Sequence, residues 1–158
     1  MHDIVLFAHA TFGALGIIAA VWVFVETLNA REGNAARTRM AATIGAACVV
    51  LAGLLGGYWY VRFYGPDKSL ILAGPWPWAH QLLMEVKEHA FLIMLILALY
   101  LPVAARDRLD SNLVARRLVL TVAALVALSG LALEGAGAAI SYAVRLSLQP
   151  HAPFTGGE

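Results

Sequence analysis

Charge is the scarcest feature of this sequence. Only 13% of its 158 residues are Asp, Glu, Lys or Arg, and 61% are hydrophobic, against roughly 25% charged in an ordinary soluble domain. Cysteine is nearly absent too. Cys48 stands alone, which excludes an internal disulfide and any cysteine-rich metal site; in mid-run it reads as a small membrane-interior residue. Ser129 and Ser141 lack a Gly-x-Ser-x-Gly context, so no hydrolase nucleophile is signalled. The glycines sit inside apolar runs and form no phosphate-binding loop. A net charge of +1 favours no partner, and without a basic face outside the short loops, nucleic-acid binding is not supported.

What fills the chain instead is long apolar runs. Ile4–Leu28 is interrupted only by His9 and Glu26, and Met40–Tyr60 carries no charge. Leu82–Val103 is apolar after a polar head, and Leu113–Leu133 is apolar after Arg116 and Arg117. A run of about 18 or more such residues reads as a membrane span. The expectation is therefore an all-α integral membrane protein, a single domain over residues 1–158, with four transmembrane helices in an up-down bundle. The spans fall at about 4–28, 40–60, 79–103 and 113–133, followed by an extension over 134–158 that either continues the fourth span or turns onto the surface. No room is left for a soluble domain. The first run lacks a basic leader and an Ala-x-Ala site, so it reads as a span and not as a cleaved signal peptide.

Basic residues mark cytoplasmic loops. Arg31, Arg37 and Arg39 follow the first span, and Arg106, Arg108, Arg116 and Arg117 surround the third connection. Both termini and the second loop are thus expected on the outer side of a bacterial inner membrane. Asn29 and Gly33-Asn34 break the chain after the first span, and Asp110-Ser111-Asn112 supplies capping candidates for the fourth. Gly65-Pro66-Asp67 and Gly74-Pro75-Trp76-Pro77 punctuate the outer loop. Tyr58, Trp59, Tyr60, Tyr64, Trp76 and Trp78 gather there, as amphipathic rings do at headgroup level; a lid over a site is the other reading of the PWPW stretch.

The ionisable residues collect at one end. "GPWPWAHQLLMEVKEHAF", Gly74–Phe91, places His80, Glu85, Lys87, Glu88 and His89 at the head of the third span. At a rise of about 1.5 Å per residue, His9 lies roughly 8 Å beyond Ile4, and Glu85 and His89 roughly 10 and 16 Å beyond Trp78. Glu134 falls near the same boundary. Ionisable groups within a membrane are costly and mark sites or pathways. Helical angles put Glu85 and His89 on one face with Glu88 beside them, and Lys87 and His80 nearly opposite. The third span is therefore expected to be central in the bundle or to touch another subunit. Small residues run in line with two of the polar ones: His9, Gly13, Gly16 and Ala20 on the first span, and Gly130, Glu134, Gly137 and Ser141 on the fourth. Gly53, Gly56 and Gly57 lie on the second. Such stripes serve close helix packing or make room for a flat cofactor.

Three chemistries fit. A b-type haem needs one or two axial ligands from facing helices and a small, apolar pocket. His9 and His89 are the first ligand pair and His80 the reserve, with Lys87 or Arg62 beside the propionates and Glu85 orienting an imidazole. Electron transfer to or from a quinone or a redox partner subunit would follow. A non-haem iron, zinc or manganese ion suits the mixed set Glu85, Glu88, His89 and Glu134, although a di-iron bundle would show two Glu-x-x-His motifs, which this chain lacks. A cofactor-free structural subunit of a larger complex would use the same cluster for docking. Either way, the chain is expected to work in the lipid bilayer as an oligomer or a subunit of a complex.

Two stretches carry a resemblance. "HATFGALG", His9–Gly16, and "HQLLMEVKEHAFLIMLILALY", His80–Tyr100, together with size and span count, look like the small four-helix membrane proteins that bind haem b. These are the haem-dependent protoporphyrinogen oxidase family and its relatives among copper-resistance membrane proteins. The likeness covers about half the chain. Glu85, Glu88, His89 and the PWPW loop lie outside that pattern. What the resemblance implies here is only a haem-ligand role for His9 and for the polar head of the third span.

Overall fold

The computed structural model describes residues 2–149. The chain is all-helical, and no strand occurs among the described residues. Helix α1 covers His2–Leu28, and a 3-10 turn at Glu32–Asn34 leads into α2, Ala35–Ala73. A π-helical turn, Ala79–Met84, runs straight into α3, Glu85–Ala104. Helix α4 spans Leu113–Ser147. Three segments are long and apolar enough to cross a membrane by length and composition: α1, α2 with its leading turn, and α4. Helix α3 is not among them. Glu85, Lys87, Glu88 and His89 occupy its head, and the uncharged stretch left from Ala90 to Ala105 is shorter than the roughly 20 residues a span uses.

The helices form a ring in which each packs on the next and α4 closes back on α1. The interior is built of small side chains, among them Ala19 and Ala20 of α1, Ala41, Ala42 and Ala46 of α2, and Ala123 and Ala127 of α4. Large apolar side chains point outward instead: Ile18, Leu54, Ile96 and Leu128 are each more than 60% exposed. This inverts the pattern of a soluble protein. It is the packing expected where small residues let backbones approach closely and the surrounding medium is itself apolar. Buried threonines return their hydroxyls to the helix, Thr27 to the Val23 carbonyl at 2.7 Å and Thr38 to that of Asn34 at 3.1 Å, so neither leaves a polar atom unpaired.

One boundary differs from the sequence reading, and one that it left open is decided. Helix α2 does not end near Tyr60; it continues through Gly65 and Pro66 to Ala73. A proline within a helix removes one hydrogen bond and costs about 3 kcal/mol, but here tertiary packing offsets it. Tyr64 and Ile71, on one face of that extension, are 2% and 0% exposed and meet Ala79, Met84, Ile140 and Ala143 in a second apolar cluster. The same cluster settles the extension after residue 133: α4 runs on unbroken to Ser147, its Ile140 and Ala143 facing inward. The result is a helical cap over one end of the bundle. At the other end, Asn112 caps α4 by accepting from the Val114 and Ala115 amides, both at 3.1 Å.

Candidate functional site

Beneath the cap the four helices line an open cavity of about 1010 Å³. It is mostly apolar, and its polar lining comes from Asp3, His9, Lys87, Glu88, Glu134 and Ser141, with Trp59 and Tyr60 beside them. A recurring device builds its wall: a large side chain of one helix rests on a glycine of the next. His9 of α1 lies over Gly56 of α2, where an added Cβ would sit 2.7 Å from the imidazole. Phe91 of α3 fills the place of a side chain at Gly53 of α2. Lys87 of α3 crosses to α4, its Nζ 2.9 Å from where a Cβ of Gly137 would lie. Glu134 of α4 lies on Gly13 of α1. Each neighbouring pair of helices is thus spanned, and three of the four seated side chains are ionisable. The glycines do more than bring backbones together; they hold the polar groups of the cavity in place.

His9 is the best-oriented group. Its Nδ1 lies 2.8 Å from the Ala52 carbonyl oxygen. A carbonyl only accepts, so Nδ1 carries a proton, and in the neutral imidazole Nε2 keeps its lone pair. Fixing the tautomer through a backbone carbonyl is how proteins present an imidazole to a metal. Lys87 is half-buried. It faces Glu134, but the ion pairs among the described residues are His2–Asp3 and Glu26–Arg37, so Lys87 and Glu134 do not close on one another. The ammonium has no hydrogen-bond partner there either, which leaves it available to an anionic group in the cavity.

The sequence-derived candidates separate into two groups. His9, Lys87, Glu88 and Glu134 line the cavity. His89 and Glu85 do not: both are exposed on the outward face of α3, with His89 Nδ1 donating to the Glu85 carbonyl at 2.8 Å. His80 is also outside the lining; its Nδ1 is 3.0 Å from the Tyr64 hydroxyl. Arg62 is exposed on the extension of α2. The pairing of His9 with His89 is therefore not realised. The residues of α3 that line the cavity are Lys87, Glu88, Phe91, Leu92 and Met94; His89 is not among them and is exposed. The mixed metal set fails for the same reason. Among the described residues no three His, Cys, Asp or Glu side chains converge as a metal-ligand group: Glu85 and His89 point out, while Glu134 is held against Gly13. Tyr60 is read from sequence only as an interfacial aromatic and Phe91 only by its place near Lys87 on the helical wheel; the Ala52 carbonyl carries no sequence signal beyond the small-residue stripe on α2.

Comparison with known protein families, with characterised proteins and with solved structures gives no match.

Proposed function

We propose that the chain is a membrane protein that binds haem b in this cavity through His9 and serves electron transfer with a lipid-soluble quinone or a redox partner subunit. The observation that supports it most is the His9 geometry: Nδ1 tied to Ala52, Nε2 bare, on the wall of a cavity at the upper end of the roughly 300–1,000 Å³ typical of ligand sites. The residues fit the group. One axial imidazole suffices for haem, glycines keep the wall flat, and Lys87 supplies a cation for carboxylates. Bound haem supplies reversible one-electron chemistry at its iron. The chain's own part is to fix the imidazole, neutralise acid groups through Lys87, keep bulk water out with the cap, and handle protons at Glu88 and Glu134.

The placement in the bilayer belongs to the same proposal. His9 and Glu134 stand roughly 27 Å along their helices from Thr27 and Arg116, close to the ~30 Å of a hydrocarbon core. The cavity then opens at one boundary, with the cap beyond it in the headgroups and water. Helix α3 crosses as the fourth span, its charged head level with that boundary, where Lys87 can snorkel. The basic loops face the cytoplasm and both termini lie outside a bacterial inner membrane.

Absorption spectra of the purified protein, oxidised and then dithionite-reduced, test the haem reading. A Soret band with sharp reduced bands is expected. His9→Ala should abolish it, whereas His80→Ala, His89→Ala and Glu134→Gln should stay coloured. A featureless spectrum of protein from its native membrane overturns the reading. If colour vanishes in His89→Ala and survives in His9→Ala, haem is present but the assignment of its ligand is wrong.

A further inference from the structure

The outward face of α3 carries more than side chains suited to lipid. With successive residues about 100° apart around the helix, Ile96 marks the middle of that face. Glu85, His89 and Val103 lie within about 20° of it, and Leu92 and Leu99 within about 60°. All six are exposed, and they recur at the alternating four- and three-residue spacing of a two-helix seam. Four are apolar, but the two nearest the head of the helix are a carboxylate and an imidazole. Residues four apart are neighbours on a helix, yet these two side chains do not pair. His89 Nδ1 donates to the Glu85 backbone carbonyl at 2.8 Å, which leaves Nε2 open. The Glu85 carboxylate belongs to neither of the ion pairs found among the described residues. The packing of α3 on α2 sets the depth. Phe91 rests on Gly53, and His9 rests on Gly56, one turn further along α2. His89 therefore stands about level with His9, at the boundary of the hydrocarbon. Glu85 is about 6 Å above it, and the four apolar residues lie below.

We propose that this face of α3 seats a second copy of the chain in a parallel, twofold dimer, with Glu85 of each copy bonded to His89 of the other. A twofold axis along the membrane normal keeps every residue at its own depth. The apolar residues then meet their own counterparts in the hydrocarbon, and the polar ones meet at its boundary. Each copy brings one acid and one base, which is the complement that the other copy leaves open. The two lie about 6 Å apart along the helix axis, a gap that the two side chains cover. The imidazolium donates from Nδ1 to its own helix and from Nε2 to the partner's Glu85, a charge-assisted hydrogen bond that symmetry repeats. Polar pairs at one end of an apolar seam also fix its register. The dimer depends on the bilayer placement proposed above and not on haem, since Glu85, His89 and Ile96 lie outside the cavity lining.

The test uses the full-length protein in lipid vesicles, in two populations labelled at the C-terminus with donor and acceptor fluorophores. Energy transfer is followed as added lipid dilutes the protein, which gives the dimer dissociation constant. Wild type should show one saturable transition. Glu85→Gln and His89→Ala should each raise the constant by about 10- to 100-fold, the scale of hydrogen bonds to charged groups. Exchanging the two residues, Glu85→His with His89→Glu, keeps an acid and a base on each copy and should recover most of the affinity. Ile96→Ala should weaken the dimer, whereas Leu54→Ala and Leu128→Ala, at similarly exposed apolar positions of α2 and α4, should not. Wild type that stays monomeric at the highest protein-to-lipid ratio overturns the dimer. So does a dimer that Glu85→Gln, His89→Ala and Ile96→Ala all leave intact. A chain that is monomeric alone but leaves its native membrane with an equimolar second polypeptide gives the face to a different partner and overturns the second copy. Recovery of the chain in the soluble fraction of cells removes the bilayer placement and the dimer with it. Absorption spectra of the same samples keep the haem reading separate: absence of a Soret band removes haem and leaves the dimer standing.

Discussion

The two ends of the bundle treat their ionisable side chains in opposite ways. At the end away from the cap, Glu26 accepts from Arg37 Nε and Nη2 at 3.1 and 3.2 Å and from Trp22 Nε1 at 3.3 Å. Asn34 bonds to the Glu26 carboxylate and to the Glu26 and Asn29 carbonyls, all at 2.9–3.0 Å. Arg116 crosses from α4 to the last carbonyls of α1, at Thr27 and Leu28. Those carbonyls have no partner within their own helix, so the arginine closes α4 on α1 as Arg37 closes α2 on it. Under the cap, Lys87 and Glu134 face each other unpaired and His9 keeps a bare nitrogen. Glu26, read by depth alone, looks like the equal of Glu134. Its environment makes it a structural clasp. Depth in the membrane identifies costly groups; only pairing separates those that hold helices together from those that await a ligand.

If the cavity binds haem as proposed, the comparison predicts that substitutions under the cap change cofactor content while substitutions in the clasp change stability. The largest effect is expected from a matched pair of neighbouring glycines. Gly56→Ala drives a methyl into the His9 ring, whereas a Cβ at Gly57 meets nothing within 4 Å. Displacing the imidazole from its carbonyl should weaken haem binding by about 100-fold, the upper end for disturbing a ligand's orientation, and Gly57→Ala should leave it unchanged. Haem titration of the two apo-proteins decides this; equal affinities would mean that the glycine does not seat His9. Next comes Asn34→Ala in the clasp. Asn34 is 2% exposed, and its loss strands buried carbonyls at a cost of about 2 kcal/mol. The thermal midpoint in detergent should fall with no change in Soret absorbance. Lys87→Met should do the reverse. It should lower haem affinity about tenfold, the scale of one charge-assisted hydrogen bond, keep or raise the thermal midpoint by removing an unpaired half-buried cation, and be restored in part by Lys87→Arg.

Much of this division was legible in residue order, and the rest was not for definite reasons. Apolar runs located the helices, and the small-residue stripes with His9 and Glu134 in line pointed to the cavity wall. Stripes say which face of a helix is small, but not which partner rests there, and His9 turns out to lie on Gly56 and not along its own stripe. Angular position placed Glu85 and His89 together correctly, but a helical wheel has no inside. That Lys87, Phe91 and Met94 set the inward face of α3 is decided by glycines on two other helices. Gly65-Pro66 reads locally as a break, and the burial of Tyr64 and Ile71 by a segment about 70 residues away overrides it. The contact of His80 with Tyr64 was hidden for a similar reason, because it joins residues from different helices.

The smallest effect is the sharpest test of the clasp. Asn112 caps α4 one turn before Arg116, the residue that reaches the α1 carbonyls. Removing a cap of this type costs about 1 kcal/mol. If the cap only satisfies two amides, Asn112→Ala and Arg116→Met should lower the thermal midpoint independently, since effects at uncoupled sites add. If it also holds the first turn of α4 in position for Arg116, the double variant should be less destabilised than the sum of the two. Asn112→Ser, which keeps an accepting oxygen at the cap, should then recover most of the loss. In every one of these variants haem content should match wild type. A change in Soret absorbance would show that the two ends are coupled through α4, and the separation between a paired, structural end and an unpaired, ligand-binding end would no longer hold.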